Sequence, residues 1–232
     1  WFDALINYIS TIGWPSDKEK FNKWWPVIQV AGKDNLRQQS AIWQAMLMSS
    51  GLPNTKQIFI HGFISSDGKK MSKSLGNVVE TNKLLESHSA DLSRFYMMRK
   101  CPPIDFMNFD LQELKRRPYQ VLSTLYHLTR FFLQNAQFDK FNPIDYSLDW
   151  AEKNNLLKDV DRWLLSKLQD KILCYTKHLE NCEYNLAVAV IETLVIETLS
   201  RLYVPMIRKE LWTDDIQSLN RRQTIYAILW NI

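Results

Sequence analysis

The chain has 232 residues, of which 46% are hydrophobic and 23% charged, enough for a sizeable core in one or two domains. No apolar run approaches the roughly 18 residues of a membrane span, and the start Trp1-Phe2-Asp3-Ala4 has neither a basic signal-peptide region nor an initiator Met. The formal net charge of +4 is modest, and three cysteines (Cys101, Cys174, Cys182) without metal-ligand spacing argue against a disulfide framework and against a resident metal. A reducing, cytoplasmic setting is the expectation. Both ends read as cut, the last inside the apolar run Ile228 to Ile232, so a truncated piece of a larger protein is expected.

Taken in order, residues 2–12 predict a short helix ended by Gly13 and Pro15. Val27-Ile28-Gln29-Val30, stopped by Gly32, predicts a buried strand. Leu36, Trp43, Met46, Leu47 and Ser50 keep helical spacing, which predicts a helix over about 35–50 closed by Gly51. Gln57 to His61, stopped by Gly62, predicts a second strand. Strand, helix and strand at these lengths make a βαβ unit with a parallel sheet. Ser65 to Asn77 reads as a polar loop, residues 81–98 as two short helices, and Ile104 to Phe109 as a brief extended piece.

From about 111 onward the period is helical. Val121, Leu125, Leu128 and Phe132 share a face, as do Leu164, Leu168, Ile172, Tyr175 and Leu179. The run Leu186 to Ile207 is apolar on several faces and is expected at the centre of a bundle, kinked or broken at Pro205. Residues 138–156, polar and holding Pro143 and Asn154-Asn155, predict an inter-helix loop. All six glycines lie in the first 76 residues. That part also holds nine Lys/Arg against five Asp/Glu, whereas the rest holds twenty of each. The positive excess therefore coincides with the turns, which is a weak pointer to an anionic partner.

The loop Lys69-Lys70-Met71-Ser72-Lys73-Ser74, bracketed by Gly68 and Gly76, places ammonium groups and hydroxyls on a segment with two hinges. Lysine acts as a point charge that can follow a phosphate whose charge moves during reaction. Taken alone, such a loop reads equally as a solvated basic turn. Its wording is more specific: Lys-Met-Ser-Lys-Ser, after His61-Gly62-Phe63 and before Gly76-Asn77, resembles the second signature of class I aminoacyl-tRNA synthetases.

That resemblance implies an architecture of α/β then all-α: the C-terminal half of a Rossmann-type catalytic domain (1–76), a stem-contact or connective region (77–115) and a truncated helical-bundle anticodon-binding domain (116–232). It implies activation of an amino acid by ATP with Mg2+, then transfer to tRNA. Lys70 and Lys73 would be catalytic, stabilising the triphosphate in the transition state. The ATP site would take Gly32, Asp34, His61, Gly62, Phe63, Met71 and Ser72, with Asp34 accepting from the ribose hydroxyls. Read alone, Asp34 is equally a helix N-cap. The family's first signature, His-Ile-Gly-His, does not occur in the 232 residues, so this chain alone is expected not to aminoacylate.

Trp1-Phe2-Asp3-Ala4-Leu5-Ile6-Asn7-Tyr8 and the helix with Trp43 look most like the methionyl enzymes, and by that resemblance Trp1, Ala4, Tyr8 and Trp43 line the amino-acid pocket. An aromatic wall suits a polarizable thioether; each residue singly reads as well as a core aromatic. Asn35 and Gln39 stand where that family often has an aliphatic residue and a His. The second half, including Asp161 to Leu168 and Leu199 to Trp212, is similar instead to the isoleucyl, valyl and leucyl enzymes. An isoleucine, leucine or valine enzyme is thus the alternative, and a catalytically inactive tRNA-binding module a further one. For tRNA phosphates the candidates are Arg116, Arg117 and Arg130, with Lys115, Arg208 and Arg221-Arg222 behind them.

Overall fold

A computed structural model describes every residue except 1, 67, 72, 73, 75, 214, 216 and 217, and Lys70 through its backbone. The chain divides into two compact units: residues 1–79 with 101–109, and residues 80–100 with 110–232. The stretch 77–115 is therefore shared between the two.

In the first unit, α1 (Phe2–Ser10) and α2 (Lys18–Trp24) precede β1 (Ile28–Gly32). A 3-10 turn (Lys33–Asn35), a π-helical segment (Gln38–Ile42) and α3 (Trp43–Ser49) form the crossover to β2 (Gln57–His61). The strands pair in parallel from Ile28↔Gln57 to Gly32↔His61, which is the expected βαβ unit. Leu5, Ile9, Phe21, Trp25, Trp43 and Leu47 make the core beneath it.

β1 departs from the buried strand that its apolar residues predict. Ile28 and Val30 are 49% and 63% exposed, while Gln29 between them is buried. A strand alternates its faces; with two strands in this sheet, only the face that carries Gln29 is covered.

The expected loop after β2 holds a hairpin, β3 (Ile64–Ser66) antiparallel to β4 (Lys69–Lys70), with Gly68 at φ +70° between them. Strand β5 (Met107–Phe109) pairs in parallel with β3, so the segment after Pro102-Pro103 returns to this unit.

The second unit is helical: α4 (Thr81–Ser87), α5 (Ala90–Lys100), α6 (Leu111–Leu114), α7 (Arg117–Phe138), α8 (Leu148–Lys153), α9 (Asp159–Glu180), α10 (Tyr184–Thr193), α11 (Val204–Leu211) and α12 (Leu219–Trp230). Helices α10 and α11 are joined by a π-helical segment, Leu194–Tyr203. Pro205 lies in the first turn of α11, where its missing N–H costs least, so the expected break takes the form of a change of helix type. Helix α8 replaces part of the expected 138–156 loop; the Ser147 hydroxyl accepts from Trp150 N at 3.2 Å, and Ala151 is fully buried.

Leu164, Leu199, Tyr203, Ile207, Ile225 and Ile228 form the bundle core. Each such side chain contributes about 1.5–3 kcal/mol on burial. Leu125 and Ile172, on the predicted apolar faces, remain 42% and 45% exposed. No described helix is long and apolar enough to cross a membrane, and the three cysteines are unbridged.

Candidate functional site

Gly32 and His61 end adjacent parallel strands in register, so the residues that follow each emerge on the same edge. Open parallel sheets bind ligands beyond the carboxyl ends of their strands. A Cβ on Gly32 would sit 2.7 Å from Asp34 Oδ1 and 3.6 Å from His61 Cε1, which makes the three residues one continuous surface. Asp34 is exposed, and its Oδ1 accepts weakly from Asn35 Nδ2 at 3.4 Å. The N-cap reading of Asp34 fails: the turn Lys33–Asn35 is capped at Gly32, without a side-chain bond.

His61 Nδ1 lies 2.9 Å from the Gly62 carbonyl. A carbonyl only accepts, so Nδ1 is the donor in this contact. Gly62 itself is buried by its neighbours. Its N–H donates to Pro103 O at 2.8 Å, and a Cβ there would fall 2.0 Å from the Asp105 carbonyl oxygen. The glycine therefore lets residues 103–105 close over the strand end, and its N–H is already taken. Phe63 is partly exposed and packs against Phe106, with ring centroids 5.6 Å apart, and Lys33 Nζ stands 5.8 Å from the Phe106 ring.

Gly62 and Phe63 link this edge to β3, and the signature loop opens on the β3–β4 hairpin. Lys70 pairs through its backbone with Ser65, and Met71 is partly buried; Ser72 and Lys73 lie outside the described residues. Gly68 and Gly76 both have positive φ, +70° and +64°, with open space where a Cβ would be, so conformation is what requires them. Sequence reasoning missed Asn108, whose Oδ1 accepts from Gly68 N at 2.8 Å and from Ser65 Oγ at 3.4 Å. It ties the base of the loop to β5. Its only sequence signal is a lone polar residue between Met107 and Phe109, both buried.

Trp1 of the predicted amino-acid pocket lies outside the described residues. Ala4 and Tyr8 are four apart on α1, hence on one face, and both are exposed. The Tyr8 ring is 5.8 Å from Trp43. Trp43, 1% exposed, sits inside the core and packs edge-on against Trp25, so the core reading holds for it at the same time. Gln39, one turn before Trp43, is 3% exposed and donates from Nε2 to the Tyr8 hydroxyl at 2.9 Å. Gln39 Oε1 and Trp43 Nε1 are buried without a hydrogen-bond partner among the described residues. Buried polar groups left so are rare.

In the bundle, Arg221 and Arg222 are corrected from phosphate candidates to internal cations. Arg221 pairs with the fully buried Asp161 and with Glu210. Arg222 forms a two-bond fork on Asp139 at 2.7 and 3.0 Å. Arg208 stacks over Trp212 and Arg130 over Tyr126. Arg117 bonds Glu192, which Arg99 also holds at 2.9 Å. Arg116 and Lys115 are exposed. Among the described residues no group of three His, Cys, Asp or Glu is placed to hold a metal ion.

An edge of two parallel strands, the Lys-Met-Ser-Lys-Ser loop and a following helical bundle point to one class. The family described as tRNA synthetases class I (M) matches residues 1–127, and the anticodon-binding domain of tRNA ligase matches 161–232. The chain belongs to the class I aminoacyl-tRNA synthetase family, with its α/β part followed by an all-α part. Its relatives divide by region. An isoleucine–tRNA ligase of Methanosarcina barkeri is 31% identical over 98% of this chain, and a methionine–tRNA ligase of Thermotoga maritima is 48% identical over 43% of it. This chain spans 22% and 16% of their respective lengths. The Mycobacterium tuberculosis methionyl-tRNA synthetase in complex with methionyl-adenylate superposes with a TM-score of 0.80 at 26% identity, over 99% of this chain and 44% of that one.

Proposed function

We propose that the chain supplies the second half of the ATP site and the anticodon-binding bundle of an aminoacyl-tRNA synthetase that activates methionine. The observation that carries this reading is the registered edge Gly32–Asp34–His61 with the signature loop following it. In this reading Asp34 accepts from the ribose hydroxyls, and His61 and Phe63 flank the adenine. Phe106 extends that aromatic wall. Lys70 and Lys73, with Met71 and Ser72, follow the triphosphate as the amino-acid carboxylate attacks and pyrophosphate leaves. Mg2+ travels with the triphosphate, as it does where it keeps several waters and few carboxylates. Residues 1–76 are the catalytic part, 77–115 the stem-contact region and 116–232 the anticodon domain, working with tRNA in the cytoplasm.

Methionine is favoured by the pairing of Tyr8, Gln39 and Trp43, an aromatic wall with a polar rim. Isoleucine is the second reading, favoured by relatives of that name that align over nearly the whole chain. The test is ATP–pyrophosphate exchange by the full-length gene product that contains these 232 residues, supplied in turn with methionine, isoleucine, leucine and valine. Exchange with methionine alone is the expected result. Exchange with isoleucine alone reassigns the substrate, and exchange with none favours an inactive tRNA-binding module.

A further inference from the structure

The second unit holds a cleft that the catalytic reading does not use. It has a volume of about 290 Å³ and lies between the end of α5, the start of α7 and α10. Its charged lining is Arg99, Lys100, Arg116 and Arg117 against Glu113 and Glu192, four cations to two carboxylates. Glu192 is 8% exposed and sits between two guanidinium groups. Its Oε2 accepts from Arg99 Nε at 2.9 Å, and its Oε1 from Arg117 Nε. Each arginine gives one edge to Glu192; Arg117 also donates from a terminal nitrogen to Gln120 Oε1 at 3.1 Å and stands 3.9 Å from Glu197, and both side chains stay about 40% exposed at the mouth. Arg116 is exposed, with no ion-pair partner among the described residues. Helix α7, 22 residues long, begins here without a side-chain cap, so the positive end of its dipole adds to the same field. Phe95, Tyr96 and Pro118 supply an apolar floor.

We propose that this cleft is a phosphodiester site for the RNA backbone, in which Glu192 is a positioning residue that holds Arg99 and Arg117 side by side beside Arg116. A buried carboxylate between two arginines fixes their spacing, as a phosphate fork needs. An open mouth over an apolar floor suits a phosphate carried on a sugar chain better than a free ion, which prefers to be enclosed by donors. The proposal rests on tRNA being a partner of this chain and adds where one stretch of its backbone lies.

The experiment is anisotropy titration of labelled, unfractionated tRNA with the 232-residue chain between 50 and 200 mM salt. R116Q and R99Q are each expected to weaken binding about five- to tenfold and to lower the salt slope by about 0.9 per lost phosphate contact. K167Q, on α9 and away from the cleft, is expected to change neither. E192Q raises the net positive charge by one yet is expected to weaken binding, because the arginines lose their spacing; tighter binding would overturn the positioning role. Melting curves of each variant separate these effects from unfolding, and R116Q removes no side-chain hydrogen bond or ion pair among the described residues. Competition by millimolar inorganic phosphate beyond that of chloride at equal ionic strength would make the site one for free phosphate and overturn the RNA assignment. Wild-type binding that is insensitive to both R99Q and R116Q overturns this site alone. Absence of tRNA binding by the wild-type chain overturns both the site and the partner.

Discussion

The two units treat buried polar groups differently. In the first, Gln29, Gln38, Gln39 and Trp43 bury side-chain polar atoms that have no partner among the described residues. In the second, Gln223 Oε1 is the one such atom among the described residues, and the buried charges are closed into networks. Asp161 accepts from Tyr203 at 2.9 Å, from Lys158 N at 2.9 Å and from both ends of Arg221. Asp139 accepts from Arg222 twice and from Tyr226 at 2.7 Å. A bundle whose buried charges are paired internally is a scaffold. In the βαβ unit, Gln39 and Trp43 carry their idle atoms next to Tyr8, in the proposed amino-acid pocket.

The contrast is broken most sharply by substituting in each network and comparing what is lost. Removing one partner of a buried ion pair costs about 3–5 kcal/mol, because the remaining charge stays buried. Asp161→Ala leaves Arg221, whose side chain is 13% exposed, with Glu210 as its one carboxylate, takes the acceptor from the buried Tyr203 hydroxyl and uncaps α9. The bundle is expected to lose that much stability in thermal or urea unfolding followed by circular dichroism. A loss under 1 kcal/mol would mean that water reaches the pair. In the first unit, Lys73→Ala in the full-length gene product is expected to cost about 10²–10³ in the rate of ATP–pyrophosphate exchange, with unfolding unchanged. An equal loss of stability would make the lysine a structural residue and remove the contrast.

Acid provides the next test. Burial pushes the carboxyls of Glu192, Glu210 and Asp139 up, but hydrogen bonds from Arg117 and Arg99, from Arg221 and Lys158, and from Arg222 and Tyr226 outweigh it. Each carboxyl is therefore held below its ordinary value of 4.5, 4.5 and 3.8 respectively. A lowered folded-state value means that the unfolded chain takes up protons first. The stabilisation is present above the ordinary values and is lost as pH falls below them. The melting temperature of the bundle is expected to drop on going from pH 5 to pH 3. Asp139→Asn should flatten that slope as well as lower the starting point, and an unchanged slope would exclude Asp139 from the acid response.

How much of this was legible in the sequence follows the range of the contacts. Strand β2 and the helical period were readable because four or five adjacent residues carry the signal. The family was readable from the wording of one loop. Nothing local marks Arg221-Arg222 as internal: the partners Asp161 and Asp139 lie 60 and 83 residues away, and a surface cation and a buried one look alike in sequence. The exposure of Ile28 and Val30 was hidden because apolar identity does not say which face of a sheet is covered. The resemblance assigns Gly62 to the ATP site; that the Asp105 carbonyl lies where its Cβ would be is a closure 43 residues away that no local rule encodes.

The smallest expected effect is the most discriminating. Gln39→Leu removes the bond to the Tyr8 hydroxyl, a net loss of about 1 kcal/mol. It also removes the buried, unpartnered Oε1, which by the same reasoning offsets a similar amount. The melting temperature should therefore barely move, unlike that of any network variant in the bundle. Tyr8 is then free to turn, and the wall it forms with Trp43 loosens. The KM for methionine in exchange is expected to rise several-fold, with kcat less affected, because the interaction belongs to binding and not to the transition state alone. If stability falls by as much as it does for Asp161→Ala, Gln39 is a structural residue. The idle atoms of the first unit would then be ordinary core polarity and not part of a site.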